Sequence, residues 1–161
     1  MVSLEQIARW PGKSANDAGL EHPAIYHMLD VAAVAEVLLE QTRYSVPEKE
    51  ALTLMVALHD LGKLNPGFRA MLRGEGAQNY RHWELTEVFL EANRDFLVLA
   101  LHPQRPGRLD PLIGATAGHH GRPSRLNIAE KRRAKRGIGE PALQDATQVI
   151  ADFAALWPQA C

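Results

Sequence analysis

Three short stretches of this 161-residue chain bring imidazoles and carboxylates close enough in sequence to share a divalent ion. His59 and Asp60 are adjacent in Ala57-Leu58-His59-Asp60-Leu61-Gly62-Lys63, at the end of an apolar run, and both side chains can reach one cation. Burying Asp60 beside apolar neighbours is costly unless a positive charge compensates it, and a metal supplies that charge. His27 and Asp30 are spaced i, i+3 and share one face of an otherwise apolar helix. There the carboxylate can accept the second imidazole proton and fix the tautomer for metal binding. His119-His120 is a second adjacent pair, placed before Gly121, and His82 opens a helical segment of its own. Such imidazole-rich ligation favours Mn, Fe, Co, Ni or Zn over Mg or Ca, which prefer oxygen.

Helices must position these groups. Periodicity of the helical kind dominates and no alternating strand pattern stands out, so the fold class is all-α. His22 to Gln41 reads as one long helix with Ile25, Met28, Leu29, Ala32 and Ala35 on a wide apolar surface. Ser45-Val46-Pro47-Glu48 has the form of a capping box and opens a helix that Gly62 would close, leaving His59 and Asp60 in its last turn. Asn65-Pro66 starts a short helix ending at Gly74, and the turn-rich segment Gly74 to Tyr80 separates it from a helix over Arg81 to Asn93. A short helix is expected over Asp95 to Leu101. Asp110-Pro111 starts the helix that ends at His119-His120 and Gly121. Glu140-Pro141 starts the last one, with Leu143, Ala146, Val149, Ile150, Phe153, Leu156 and Trp157 on one arc. Four of these helices carry a nitrogen or carboxylate ligand at or near an end.

Length and composition fit one domain, residues 1 to 161, with 46% apolar residues and no inter-domain linker. The single cysteine, Cys161, rules out a disulfide framework within the chain and fits a reducing cytoplasm. Met1 to Pro11 lacks the continuous apolar stretch of a signal peptide, and no segment approaches a membrane span, so a cytoplasmic location away from membranes is expected. Net charge is only -1, yet seven Lys or Arg residues fall between Arg122 and Arg136 against the single acid Glu130. Such a strip is a candidate polyanion surface, with Lys131, Arg132, Arg133, Lys135 and Arg136 at its centre. Gly12-Lys13-Ser14 mimics the end of a phosphate-binding loop, but the earlier glycine of that loop would fall at Ile7.

Taken in order, His22-Pro23-Ala24-Ile25-Tyr26-His27-Met28-Leu29-Asp30, Leu58-His59-Asp60-Leu61-Gly62-Lys63, Arg81-His82-Trp83-Glu84 and Gly118-His119-His120-Gly121 resemble the motifs of one family. That family is the HD nuclease domain of the type I CRISPR helicase-nuclease, within the HD superfamily of phosphohydrolases. The resemblance covers roughly residues 10 to 157, and four motifs in the right order are far more specific than any one alone. It implies an HD-domain helical bundle holding two divalent transition-metal ions. His27, His59, Asp60 and a late carboxylate would hold one ion, and Asp60, His82, His119 and His120 the other, with Asp60 bridging. Asp145 and Asp152 lie seven residues apart at the edge of the last apolar arc, and periodicity does not separate them; the family's ligand precedes the apolar run of that helix, which implies Asp145. Asp60 and Lys63 would be the catalytic pair, Lys63 as a phosphate-facing cation. The implied activity is endonucleolytic hydrolysis of single-stranded DNA in antiviral defence. A CRISPR helicase subunit or fused helicase domain is the implied partner of a chain that is monomeric by itself. A phosphohydrolase of nucleotides or small phosphoesters is the alternative, sharing the metal site but not the DNA channel.

Overall fold

The computed structural model describes residues 3–14, 21–101 and 109–160, so Cys161 lies outside the described residues. Nine α-helices and one 3-10 helix are found among them, and no β-strand. They run α1 (Leu4–Ile7), α2 (Ala24–Glu40), α3 (Val46–Ala57), the 3-10 helix (Leu58–Leu64), α4 (Pro66–Leu72), α5 (His82–Ala92), α6 (Arg94–Leu101), α7 (Leu109–Ala117), α8 (Ile128–Ile138) and α9 (Glu140–Ala154). The all-α expectation holds. No described helix is long and apolar enough to cross a membrane.

Local chemistry sets several boundaries. Glu48 closes a capping box at Ser45 by accepting the Ser45 backbone N–H at 2.8 Å. Asn65 caps α4 by accepting the Gly67 N–H at 2.7 Å, with Pro66 at the first helical position. The helix expected from His22 begins instead at Ala24. The residues before it pair antiparallel with the N-terminal segment, Gly12 N–H donating to the His22 carbonyl and Ala24 N–H to that of Trp10, both at 2.9 Å. A Cβ at Gly12 would come within 2.7 Å of the Ala24 Cα, so close approach of two backbones explains this glycine.

The larger departure lies at Leu58–Leu64, expected as the end of α3 and found as a 3-10 helix. Leu58, Leu61 and Leu64 recur every third residue and are all fully buried, which matches three residues per turn rather than 3.6. One side of this element is thereby committed to the core formed with Met28, Leu54, Phe89, Leu90, Val149 and Ile150. Asp60 departs from helical geometry, at φ -107° and ψ 18°. Gly62 is no helix-ending turn, because its φ is not positive. A Cβ there would lie 2.8 Å from the Thr86 backbone nitrogen and closer still to the His82 carbonyl oxygen. The 3-10 helix packs most extensively on α5, and Thr86 joins them: its hydroxyl accepts the Gly62 N–H at 2.9 Å and donates to the His59 carbonyl at 3.0 Å.

Candidate metal centre

Asp60 is the centre of the arrangement. Its side chain is 3% exposed, and its two oxygens face different histidines. Oδ2 lies 3.3 Å from Nε2 of His27, 3.2 Å from Nε2 of His59 and 2.7 Å from Nζ of Lys63. Oδ1 lies 3.4 Å from Nε2 of His82 and 3.5 Å from Nε2 of His119. His120 completes the second set, its Nε2 standing 2.9 Å from Nε2 of His82. Separate elements deliver these groups: α2 brings His27, the 3-10 helix His59 and Asp60, the first turn of α5 His82, and the turn after α7 both His119 and His120.

Two groups of donors result, His27 with His59 and Asp60, and His82 with His119 and His120, the atoms of each lying within 4.8 Å of one another. Their chemistry fits divalent cations. Nδ1 of His59 is 2.9 Å from the Val56 carbonyl and Nδ1 of His119 is 3.1 Å from that of Thr116. A carbonyl only accepts, so each Nδ1 carries a proton and Nε2 is the ring atom turned toward Asp60. Imidazole Nε2 atoms gathered around one carboxylate form a donor set that suits a divalent cation. Asp60 Oδ1 is buried and makes no hydrogen bond among the described residues, which a cation on that side would also remedy.

Electrostatics hold the ligands in their binding forms. Burial by itself would raise the Asp60 carboxyl, but contacts with His119, His59 and Lys63 more than offset it and keep it well below the usual carboxylate range. Burial pushes His82 down to about 4, with Lys63, His120 and His119 adding to the effect and Asp60 opposing it. His27 is lowered by burial and by Lys63, and His120 by burial and by His119. These three imidazoles are therefore neutral at neutral pH, the form that ligates metal.

Other expected site residues fall elsewhere. Asp30 does not orient His27; it pairs with His22 at 3.1 Å, both side chains being exposed, because the turn before α2 brings His22 over that face. Asp145 is buried on the inward face of α9 and adds a favourable charge interaction to Arg69, whereas Asp152 is half-buried and accepts from Gln148 Nε2 at 3.0 Å. Neither belongs to the two donor groups. The basic strip forms α8, capped by Asn127 and Glu130, with Ala134 and Ile138 buried. Arg132, Arg133, Lys135 and Arg136 are exposed on its outer side. Lys131 instead turns inward, its Nζ 3.0 Å from Glu87 and 2.7 Å from Glu91 of α5. Those two carboxylates already neutralise its charge, unlike the exposed Arg132, Arg133, Lys135 and Arg136. Sequence reasoning gave no role to Thr86, Glu87 or Glu91, whose importance lies in contacts made across the fold.

The sequence profile of the family described as "Cas3, HD domain" matches residues 10–161. The chain belongs to the Cas3 HD-domain family. It is also 35% identical over 165 residues to the "CRISPR-associated endonuclease/helicase Cas3" of Thermus thermophilus, an alignment covering 85% of this chain. The chain spans 17% of that relative's length. No solved structure matches it. Within the Cas3 HD family, the donor-bearing motifs of this chain converge on a single carboxylate.

Proposed function

We propose that the chain is a metal-dependent nuclease that cleaves single-stranded DNA in CRISPR interference. The observation that carries this reading is the division of Asp60, with His27 and His59 around one oxygen and His82 and His119 around the other. His27, His59 and Asp60 would hold one ion, with Asp145 as the late carboxylate; Asp60, His82, His119 and His120 would hold the second. Burial of Asp145 on α9, a helix that packs on the 3-10 helix, supports choosing it over the less buried Asp152. When bound, the two ions lower the pKa of an attacking water and neutralise charge developing on the phosphodiester.

The protein's own groups do the rest. Neutral imidazoles leave the loaded centre positive, so it attracts a polyanionic backbone. Lys63, 14% exposed and 2.7 Å from Asp60, would be the phosphate-facing cation of the site. Thr86 and Gly62 fix the 3-10 helix against α5 and so fix Asp60 relative to His82. Arg132, Arg133, Lys135 and Arg136 of α8 form a cationic face for the strand, which is proposed to be delivered by a helicase subunit or fused helicase domain, in keeping with the naming of the Thermus relative as an endonuclease/helicase.

Turnover measured on single-stranded DNA, duplex DNA, nucleotides and a chromogenic phosphodiester, with Mn or after exhaustive chelation, tests the reading. Metal-dependent cleavage of single-stranded DNA is expected. Turnover confined to nucleotides would assign the chain to small-phosphoester hydrolysis instead, and none on any substrate would refute the enzyme reading.

A further inference from the structure

The chain's three tryptophans have different surroundings. Trp157 is 8% exposed within the core and its indole N–H donates to Glu36 at 2.6 Å. Trp10 packs against that core and lies under the Arg69 guanidinium. Trp83 does neither. It is half-buried and absent from the hydrophobic cluster; its ring lies 5.3 Å from that of His82, 5.0 Å from that of His120 and 5.9 Å from the Arg81 guanidinium. Following His82 directly in the first turn of α5, it is held by the backbone at the rim of the second donor group.

A large aromatic ring that meets polar imidazoles in edge-on and tilted contacts gains little from hydrophobic burial, so packing does not explain an indole at this place. Its chemistry suits a planar ligand. Any base offers a π-face, and an aromatic side chain flanked by a guanidinium is the recurrent platform for bases of a single strand. We propose that Trp83, flanked by Arg81, stacks the base of a nucleotide next to the scissile phosphate, so that the site selects unpaired nucleotides. A base inside a duplex is already stacked on both faces and would have to be extruded first, at a cost of a few kcal/mol. The inference rests on the nuclease reading above and specifies how its substrate is held.

The test compares kcat/KM, with Mn, for a thymidine oligomer and for a tetrahydrofuran oligomer of equal length that keeps the phosphodiesters but has no bases. The wild-type protein is expected to prefer the thymidine oligomer by about tenfold or more, the effect of one stacked base. Trp83→Leu, which keeps apolar bulk without a π-face, should bring the ratio close to one. Trp83→Phe should keep most of it. Bound Mn is counted in each variant, because a merely structural indole would lose metal and depress both substrates together. A ratio unchanged in Trp83→Leu, equal cleavage of both oligomers by the wild-type protein, or loss of Mn in that variant would overturn the stacking role while leaving the nuclease reading intact. A wild-type protein that cleaves neither oligomer would overturn the nuclease reading itself, and this inference with it.

Discussion

Replacing Thr86 with Val removes one hydroxyl with almost no change in shape, at the contact that holds the 3-10 helix to α5. Thr86 is fully buried. Its hydroxyl accepts the Gly62 N–H and donates to the His59 carbonyl, so the substitution leaves one buried donor unpaired and takes a partner from one buried acceptor. An orphaned buried polar group costs about 1–3 kcal/mol, and the carbonyl retains a second lone pair, so a total near 2–3 kcal/mol is expected. For a chain of this size each kcal/mol moves the melting temperature by about 2–4 °C, which gives a fall of roughly 4–12 °C. Thr86→Ser keeps the hydroxyl and should lose much less. Thermal denaturation of the metal-free proteins by circular dichroism measures both. Because the same contact spaces Asp60 from His82, Thr86→Val should also weaken Mn binding to the second donor group. A Val variant that melts within about 1 °C of the wild-type protein would refute the view that this pair of hydrogen bonds fixes the 3-10 helix.

Gly62→Ala should be worse, by about 3 kcal/mol or more, since the new methyl meets the backbone of His82 and Thr86, which cannot rotate away; equilibrium denaturation in urea reads the loss. Lys131→Ala should lower stability by about 1–2 kcal/mol by leaving Glu87 and Glu91 without their cation, whereas neutralising Arg132, Arg133, Lys135 and Arg136 together should leave the melting temperature nearly unchanged while weakening DNA binding and flattening its salt dependence in a titration. Folding holds His82 near 4 against an ordinary value of 6.5, so between those values the unfolded chain binds a proton that the folded chain refuses. This contribution is intact above about pH 6.5 and is lost as pH falls toward 4, by about 3 kcal/mol at most, and denaturation of the metal-free protein across that range checks it.

Much of the donor set was legible because its residues sit at sequence-local landmarks. His59-Asp60 and His119-His120 are adjacent, and the caps at Ser45 and Asn65 mark helix starts that the structure reproduces. What was not legible depends on contacts between distant segments. The 3-10 geometry is sustained by Thr86 and by the His82 backbone, many positions further along the chain, although the spacing of Leu58, Leu61 and Leu64 was a local sign of it. Helix α8 escaped notice behind its charge, yet Asn127 and Glu130 spell a capping box before it. Lys131 reads as one more cation in a basic run until α5 supplies its carboxylates, Glu87 and Glu91, from far earlier in the chain. Asp30 was matched to His27 by helical spacing alone, and the competitor, His22, enters from outside the helix.

Asp60 is proposed to serve two ions at once, and the most direct measurement is the number of Mn ions retained per chain after reconstitution, for the wild-type protein and for Asp60→Asn. The expected values are about two and about zero, since Asn keeps the shape but removes the charge that both donor groups share. Retention of both ions by Asp60→Asn, or no bound Mn in the wild-type protein, would contradict it.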